Sequence, residues 1–221
     1  MATNAIFPPY EFVSNNEVTG IDVEIAGAIA EKLGLELQID DMEFKAITES
    51  VKGGKADLGL AGMTVTPERA EIIDFTTSYA TGVQVVVVQE GSDLVLDDLF
   101  AEGANHQVGV QMSTTGDIYA SGDIEDAGLG TIQRVSKYGE VMQALKTGKV
   151  DCVVMDNEPA KAYVAQLGGL KILDTAYAVE DYAGAMSKDN PELYAAVNAA
   201  IEELIADGTV KTIVDKYISA E

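Results

Sequence analysis

The chain is poor in the residues on which metal, disulfide and phosphate-binding chemistry depend. Among its 221 residues there are one cysteine, one histidine and no tryptophan. A single Cys builds neither a disulfide nor a Cys-based metal site, and Cys152, set among Val150, Val153 and Val154, reads as a small buried hydrophobe. Basic residues are scarce: 14 Lys plus Arg against 37 Asp plus Glu give a net charge of −23. That charge repels phosphate backbones and anionic lipid surfaces, so no nucleic-acid partner is expected. Long apolar runs are missing too. Val85 to Val88, the longest aliphatic run, falls far short of the roughly 20 residues of a spanning helix, so no membrane insertion by this chain is expected. The opening MATNAIF lacks the charged start and apolar core of a signal peptide. Either the protein is cytosolic or a leader has been removed.

What remains is the mix of a folded α/β protein, 47% hydrophobic with 21 Gly, in one large or two small domains. Strand-like and helix-like stretches alternate, as a parallel sheet with covering helices requires. Helices are predicted from Asp22 to Leu33 with Gly34 as the stop, over Phe44 to Val51, from Thr115 to Ala120, and over Tyr138 to Lys146. Further helices are predicted after Asn157, read as a cap, from Pro191 to Ala206, and over Val210 to Tyr217. LELQI, ADLGLAG, VQVVVVQ, HQVGVQ, TIQRV, Val150 to Met155 and YAGAMS read as strands.

One piece of this pattern is written twice. VKGGKADLGLAG closes on Gly62, and LKTGKVDCVVMD closes on Asp156, with Lys52 and Lys146 in register and Phe44 and Tyr138 in the same register. Each copy is a helix, a Gly-Lys turn, a strand and a loop leaving its carboxyl end. Ligands of open α/β sheets sit at the carboxyl ends of strands, so two such lobes are expected to bring the loops after Gly62 and Asp156 to opposite walls of one cleft.

Candidate ligand groups fall on those loops. After Gly62 come Thr64, Thr66 and Pro67, and then Arg69 in the first turn of a short helix. Arg grips a carboxylate through two parallel hydrogen bonds, although a surface pairing of Arg69 with Glu68 or Asp74 is the plainer reading. In the second half Ser113, Thr114 and Thr115 stand at a helix start, where backbone N–H groups and the helix dipole favour an anion; plain capping is the alternative. Asp156, at a strand end, is suited to a ligand ammonium, or else to capping the next helix. An anion site and a cation site in one cleft match an α-amino acid. Phe7, Tyr10 and Phe44 offer an aromatic wall for its side chain.

At these residues the sequence resembles the family 3 extracellular solute-binding proteins, the polar amino acid receptors of ABC importers. TNAIFPPYEF, GIDVEIAGAIAEKLG, GMTVTPERAEIIDFTTSY, VGVQMSTTGD and GKVDCVVMDNEPAKAYV occur in the family's order. The resemblance implies a type II periplasmic-binding-protein fold, two α/β lobes joined by two crossover strands, with residues 1–87 and 182–221 in a first lobe and 88–181 in a second. It gives Arg69 and the Thr115 amide, flanked by Ser113 and Thr114, to the ligand carboxylate. Asp156, the Gly62 carbonyl and the Thr64 hydroxyl go to the ammonium. Asn4, Phe7, Tyr10, Glu11, Phe44 and Gln111 go to the side-chain pocket. Two departures stand out: Asn4 replaces an Asp of several members, and Ser113 a usual Gly.

The implied activity is binding without catalysis, with no catalytic residue, cofactor or metal, and with a free amino acid and an ABC permease as partners. A monomer outside the cytoplasm is implied, periplasmic or lipid-anchored at the cell surface, its leader absent from this chain. The aromatic residues with Glu11 or Glu43 lean toward arginine or lysine by cation–π contact, and Asn4 and Gln111 suit glutamine next. A cyclohexadienyl dehydratase-like enzyme is the rival from another class, with a receptor's ligand-sensing domain as a third. His106, in GANHQ, reads as a surface residue rather than the acid group a dehydratase needs.

Overall fold

The computed structural model describes residues 1–218; the last three positions of the segment 182–221 lie outside them. Helices form at α1 (Ile21–Leu33), α2 (Phe44–Lys52), α3 (Pro67–Ile72), α4 (Thr115–Ala120), α5 (Tyr138–Lys146), α6 (Asn157–Leu167), α7 (Pro191–Ala206) and α8 (Thr209–Tyr217). The chain parts into two compact units, Met1–Thr81 with Glu180–Glu221 and Gly82–Val179.

In the first unit, Ile21, Ile25, Ala26 and Ile29 make the buried face of α1, and Gly34 ends the helix in the left-handed conformation with its N–H on the Ala30 and Glu31 carbonyls. Asn190 caps α7 by accepting the Leu193 N–H at 3.2 Å, and Pro191 stands at the helix start where no N–H is needed. Val197, Ala200, Ile201 and Leu204 form its buried stripe. A second cluster gathers Ile47 and Val51 of α2 with Ala2, Met63, Ile73 and Ala185. A small antiparallel sheet joins Ile6–Phe7, Glu11–Ser14 and Glu17–Thr19. Its second hairpin turns on Asn15 and Asn16, both at positive φ, which short amide side chains tolerate.

The second unit is built on a six-stranded sheet in the order Leu170–Ile172, Ala80–Gln89, Cys152–Asp156, His106–Gln111 and Gly130–Val135, with Ala178–Tyr182 also paired to Ala80–Gln89. Only part of it is parallel. His106–Gln111 runs parallel to both its neighbours, whereas Ala80–Gln89 is antiparallel to Cys152–Asp156 and Leu170–Ile172. Val85 to Val88 and Cys152 to Met155 are all buried, so both sheet faces are covered. The chain passes between the units twice, within Ala80–Gln89 and Ala178–Tyr182.

The repeat is structural. Helices α2 and α5 start at Phe44 and Tyr138 and end at Lys52 and Lys146, and the glycines that follow, Gly54 at φ +67° and Gly148 at φ +71°, turn the chain in the same left-handed way. The copies diverge at the strand. Cys152–Asp156 pairs on both sides, but ADLGLAG is not a strand: Gly59 makes single bridges to Ala2 and Ala185 and nothing longer. LELQI is not a strand either, because its parallel partner Ala2–Thr3 reaches only Asp40–Asp41. In YAGAMS only Tyr182 and Ala185–Met186 lie in strands. Asn157 is the first residue of α6 rather than its cap; Asp156 holds the cap position, and its side chain makes no capping bond.

Candidate ligand-binding site

In the first unit the candidate residues gather on α3 and the loop before it. The Thr66 hydroxyl caps α3 by accepting the Arg69 N–H at 3.2 Å, and Pro67 opens the helix, so the local sequence fixes where Arg69 leaves the backbone. The residue is 9% exposed; its guanidinium donates through Nη1 to the Thr64 carbonyl at 2.8 Å and lies 5.4 Å from the centroid of the Phe44 ring. A hydrogen bond and a ring face thus set the plane of the fork. The Thr64 hydroxyl donates to Glu180 Oε2 at 3.0 Å.

Gly62 has φ +52°, and a Cβ on it would stand 2.6 Å from Phe7 Cε1. The position is therefore closed to other residues both by backbone conformation and by the Phe7 ring. Phe7 packs on Tyr10 at 5.7 Å between centroids, and Tyr10 edges onto Tyr182 at 5.3 Å. The Gly62 N–H donates to Asp22 Oδ2 at 2.8 Å, and the Tyr79 hydroxyl donates to the same oxygen at 2.9 Å. Asn4 donates through Nδ2 to the Met42 carbonyl at 2.7 Å. Glu11, expected to face a side-chain pocket, is fully buried and adjoins Asp22.

The second unit assembles its candidates around Gln84. Asp156 is 5% exposed and is the cross-strand neighbour of Gln84, whose Nε2 donates to the Thr115 hydroxyl at 3.4 Å. The strand end and the start of α4 are joined in this way. Thr114 caps α4: its Oγ1 donates to the Gln111 carbonyl at 2.8 Å and accepts the Asp117 N–H at 3.3 Å. Ser113 takes the left-handed conformation at φ +67°, and its N–H is already donated to Asp117 Oδ2 at 2.9 Å. Gln111 donates to the Ser136 carbonyl at 3.0 Å. Asp117 in turn accepts from Arg134 Nε at 2.7 Å, and Arg134 also binds Glu125 Oε2 at 2.6 Å. The Glu125 bond foremost, with that of Asp117, holds the Arg134 guanidinium protonated beyond its usual range.

His106 stands at the other end of its strand from Gln111, with Nδ1 3.7 Å from the Asp151 carboxylate. No group of three His, Cys, Asp or Glu residues among the described residues is placed to hold a metal ion. No helix among them is long and apolar enough to cross a membrane.

Sequence reasoning passed over Asp22, Gln84, Asp117, Arg134 and Glu180. One signal was present. Thr114 and Asp117 have the spacing of a capping box, although Asp117 reaches back to the Ser113 N–H rather than to that of the cap residue. Gln84 sits in a valine-rich strand, and Asp22 and Glu180 look like ordinary surface acids until the fold buries them.

Comparison with known proteins places this geometry in context. The family model described as bacterial extracellular solute-binding proteins, family 3, matches residues 1–220. An L-arginine-binding protein of Pseudomonas aeruginosa is 31% identical over 226 residues, covering 97% of this chain and 85% of that protein. Among solved structures, an ancestral arginine-binding protein bound to arginine is similar at TM-score 0.90 and 38% identity, over 99% of this chain and 96% of the other. The ancestral arginine-binding protein bound to glutamine is similar at TM-score 0.90 and 37% identity, over the same shares. The fold is the type II periplasmic-binding-protein fold, two α/β lobes joined by two crossover strands. The chain belongs to the bacterial extracellular solute-binding proteins, family 3.

Proposed function

We propose that this protein binds a polar L-amino acid outside the cytoplasm by closure of its two lobes and delivers it to an ABC importer. The observation that carries the reading is Arg69, a buried residue whose guanidinium is set in plane by the Thr64 carbonyl and the Phe44 ring. A carboxylate is the anion such a planar fork suits best. The ligand docks on the first lobe, residues 1–87 and 182–221, through Arg69. The second lobe, residues 88–181, then adds the Thr115 amide, flanked by Ser113 and Thr114, to the carboxylate. Asp156, the Gly62 carbonyl and the Thr64 hydroxyl take the ammonium. Closure is driven by contacts that exist only in the closed state.

Arginine or lysine is the first candidate, glutamine the next. Relatives named for arginine, and a solved relative bound to glutamine, support that order. Phe7, Tyr10 and Phe44, with Asn4 and Gln111, line the side-chain end. Binding is the whole activity, without cofactor or metal, and the protein acts as a monomer with a membrane permease as partner. A micromolar affinity corresponds to about −8 kcal/mol, which a buried Arg–carboxylate pair and a paired ammonium supply after ordering costs.

The test is thermal unfolding with each standard amino acid, on protein first unfolded and refolded to strip carried-over ligand. Ligand at a hundred times Kd stabilises by roughly 2.7 kcal/mol. A shift with a small group of polar amino acids is expected. A shift with none contradicts the reading.

A further inference from the structure

Behind Gly62 lies a pair of acids that neither the carboxylate nor the ammonium end of the proposed site uses. Asp22, in the first turn of α1, and Glu11, in the strand Glu11–Ser14, are both fully buried. Local backbone structure brings them together: the Asp22 N–H donates to the Tyr10 carbonyl at 2.9 Å, and a Cβ on Gly20 would strike that same carbonyl oxygen at 2.2 Å. The strand and the helix start can approach this closely only because residue 20 is glycine.

The two oxygens of Asp22 have different surroundings. Oδ2 accepts the Gly62 N–H and the Tyr79 hydroxyl, whereas Oδ1 is buried and meets no N–H or O–H donor among the described residues. The Glu11 carboxyl lies beside that of Asp22, and both of its oxygens are buried as well. Two carboxylates cannot bond to each other while both are ionised; one proton between them supplies the missing donor and removes a like-charge repulsion.

We propose that Glu11 and Asp22 share one proton and, with the Tyr79 hydroxyl, form the positioning group that holds the Gly62 backbone in place behind the amino acid site. The pair acts on ligand only through Gly62, whose left-handed conformation sets the direction of its carbonyl; in that respect the inference rests on the proposed function. The surroundings agree with a held proton. Burial foremost pushes the Asp22 carboxyl up to about 6, against the lowering effect of the Gly62, Tyr79 and Glu11 bonds. Burial, then the charges of Asp22 and Glu11, raise the Tyr79 phenol well above its ordinary value, with Tyr10 adding to the effect. On the neighbouring helices, Lys216 of α8 and the Tyr217 hydroxyl hold Glu24, and Glu203 of α7 holds Lys32 at 2.7 Å.

A carboxyl whose folded-state pKa lies above its unfolded value of 3.8 contributes stability that is fully present below that value and is lost as pH rises toward and through about 6. Glu11→Gln keeps the shape, donates permanently to Asp22 and removes the need for the proton. The experiment is urea unfolding of ligand-free wild type and Glu11→Gln between pH 4 and pH 8. The ratio of folding constants, variant over wild type, rises with pH by up to about tenfold per unit until the wild type releases its proton, then levels off. Should Glu11→Gln not fold, carbon-13 NMR titration of the wild-type carboxyls decides, with one of the two still protonated at pH 5. In Asp22→Ala the Gly62 amide exchanges at least about tenfold faster with solvent than in wild type, since an opened bond loses its protection.

A flat ratio overturns the shared proton, as do two ionised carboxyls at pH 5 in the wild type. Unchanged Gly62 exchange overturns the positioning role. These measurements need no ligand. Failure of the amino acid reading shows separately, as a wild-type protein that binds no amino acid.

Discussion

Arg69 Nη1 donates to the Thr64 carbonyl at 2.8 Å while Thr64 Oγ1 donates to Glu180 at 3.0 Å. One threonine therefore ties the guanidinium through its backbone and a strand acid through its side chain. Arg69→Lys keeps the charge but loses the planar fork that spans a carbonyl and a carboxylate together. We expect at least a tenfold loss of amino acid affinity, about 1.4 kcal/mol or more, measured by calorimetric titration, with little change in melting temperature. Equal affinity in the lysine variant contradicts a bidentate role.

Gly62→Ala meets two costs at once, a left-handed backbone and a Cβ 2.6 Å from the Phe7 ring. The backbone term alone is roughly 1–2 kcal/mol, and displacement of the ring adds to it. Chemical denaturation of the ligand-free variant should show a loss of about 2 kcal/mol or more. Gly54→Ala, at the same φ sign but with open space around it, should lose only the backbone part. Comparable losses at both positions remove the Phe7 contact from the account.

Asp117 holds Ser113 N–H with one oxygen and Arg134 with the other. Asp117→Ala removes both bonds, though Arg134 keeps Glu125, and should cost about 1 kcal/mol. Under the proposed function it also weakens amino acid binding, because the turn that leads into Thr115 loses its anchor. Ser113→Gly has the opposite sign: it relieves a non-glycine residue at φ +67° and should stabilise by roughly 0.5–1 kcal/mol after the unfolded-state entropy of glycine is counted. Denaturant midpoints of the two variants on opposite sides of wild type are the expected result.

Cys152 is wholly enclosed in the cluster of Val86, Val88, Val108, Val110 and Val154, and burial pushes its thiol up to about 12. Alkylation by iodoacetamide at pH 8 should therefore proceed only through opening of the second unit. Its rate should fall as denaturant is withdrawn and should fall further with bound ligand. Prompt labelling in buffer contradicts the burial.

Much of this molecule could be read from its chain because helices carry their own punctuation. Gly34, Pro67, Pro191 and the apolar spacing of α1 and α7 fix those elements locally, and α4, α5 and α7 begin and end where periodicity puts them. The repeat that starts at Phe44 and again at Tyr138 was legible for the same reason. The strands were harder. LELQI has strand composition, but pairing depends on a partner distant in sequence, and that partner extends only two residues. The candidate site residues divide in the same way. Arg69 and Asp156 stand at element ends that sequence identifies. Asp22, Gln84 and Glu180 became relevant only when tertiary structure buried them beside Gly62, Thr115 and Thr64. Nothing local in the sequence marks Glu11 as an acid that folding buries completely.

Calorimetric titration of stripped wild-type protein and Arg69→Ala with arginine, lysine and glutamine tests the central claim most directly. The account predicts one-to-one binding of at least one of them by wild type, at micromolar Kd or tighter, and no detectable heat from the variant. Binding of none by wild type, or equal binding by Arg69→Ala, would contradict it.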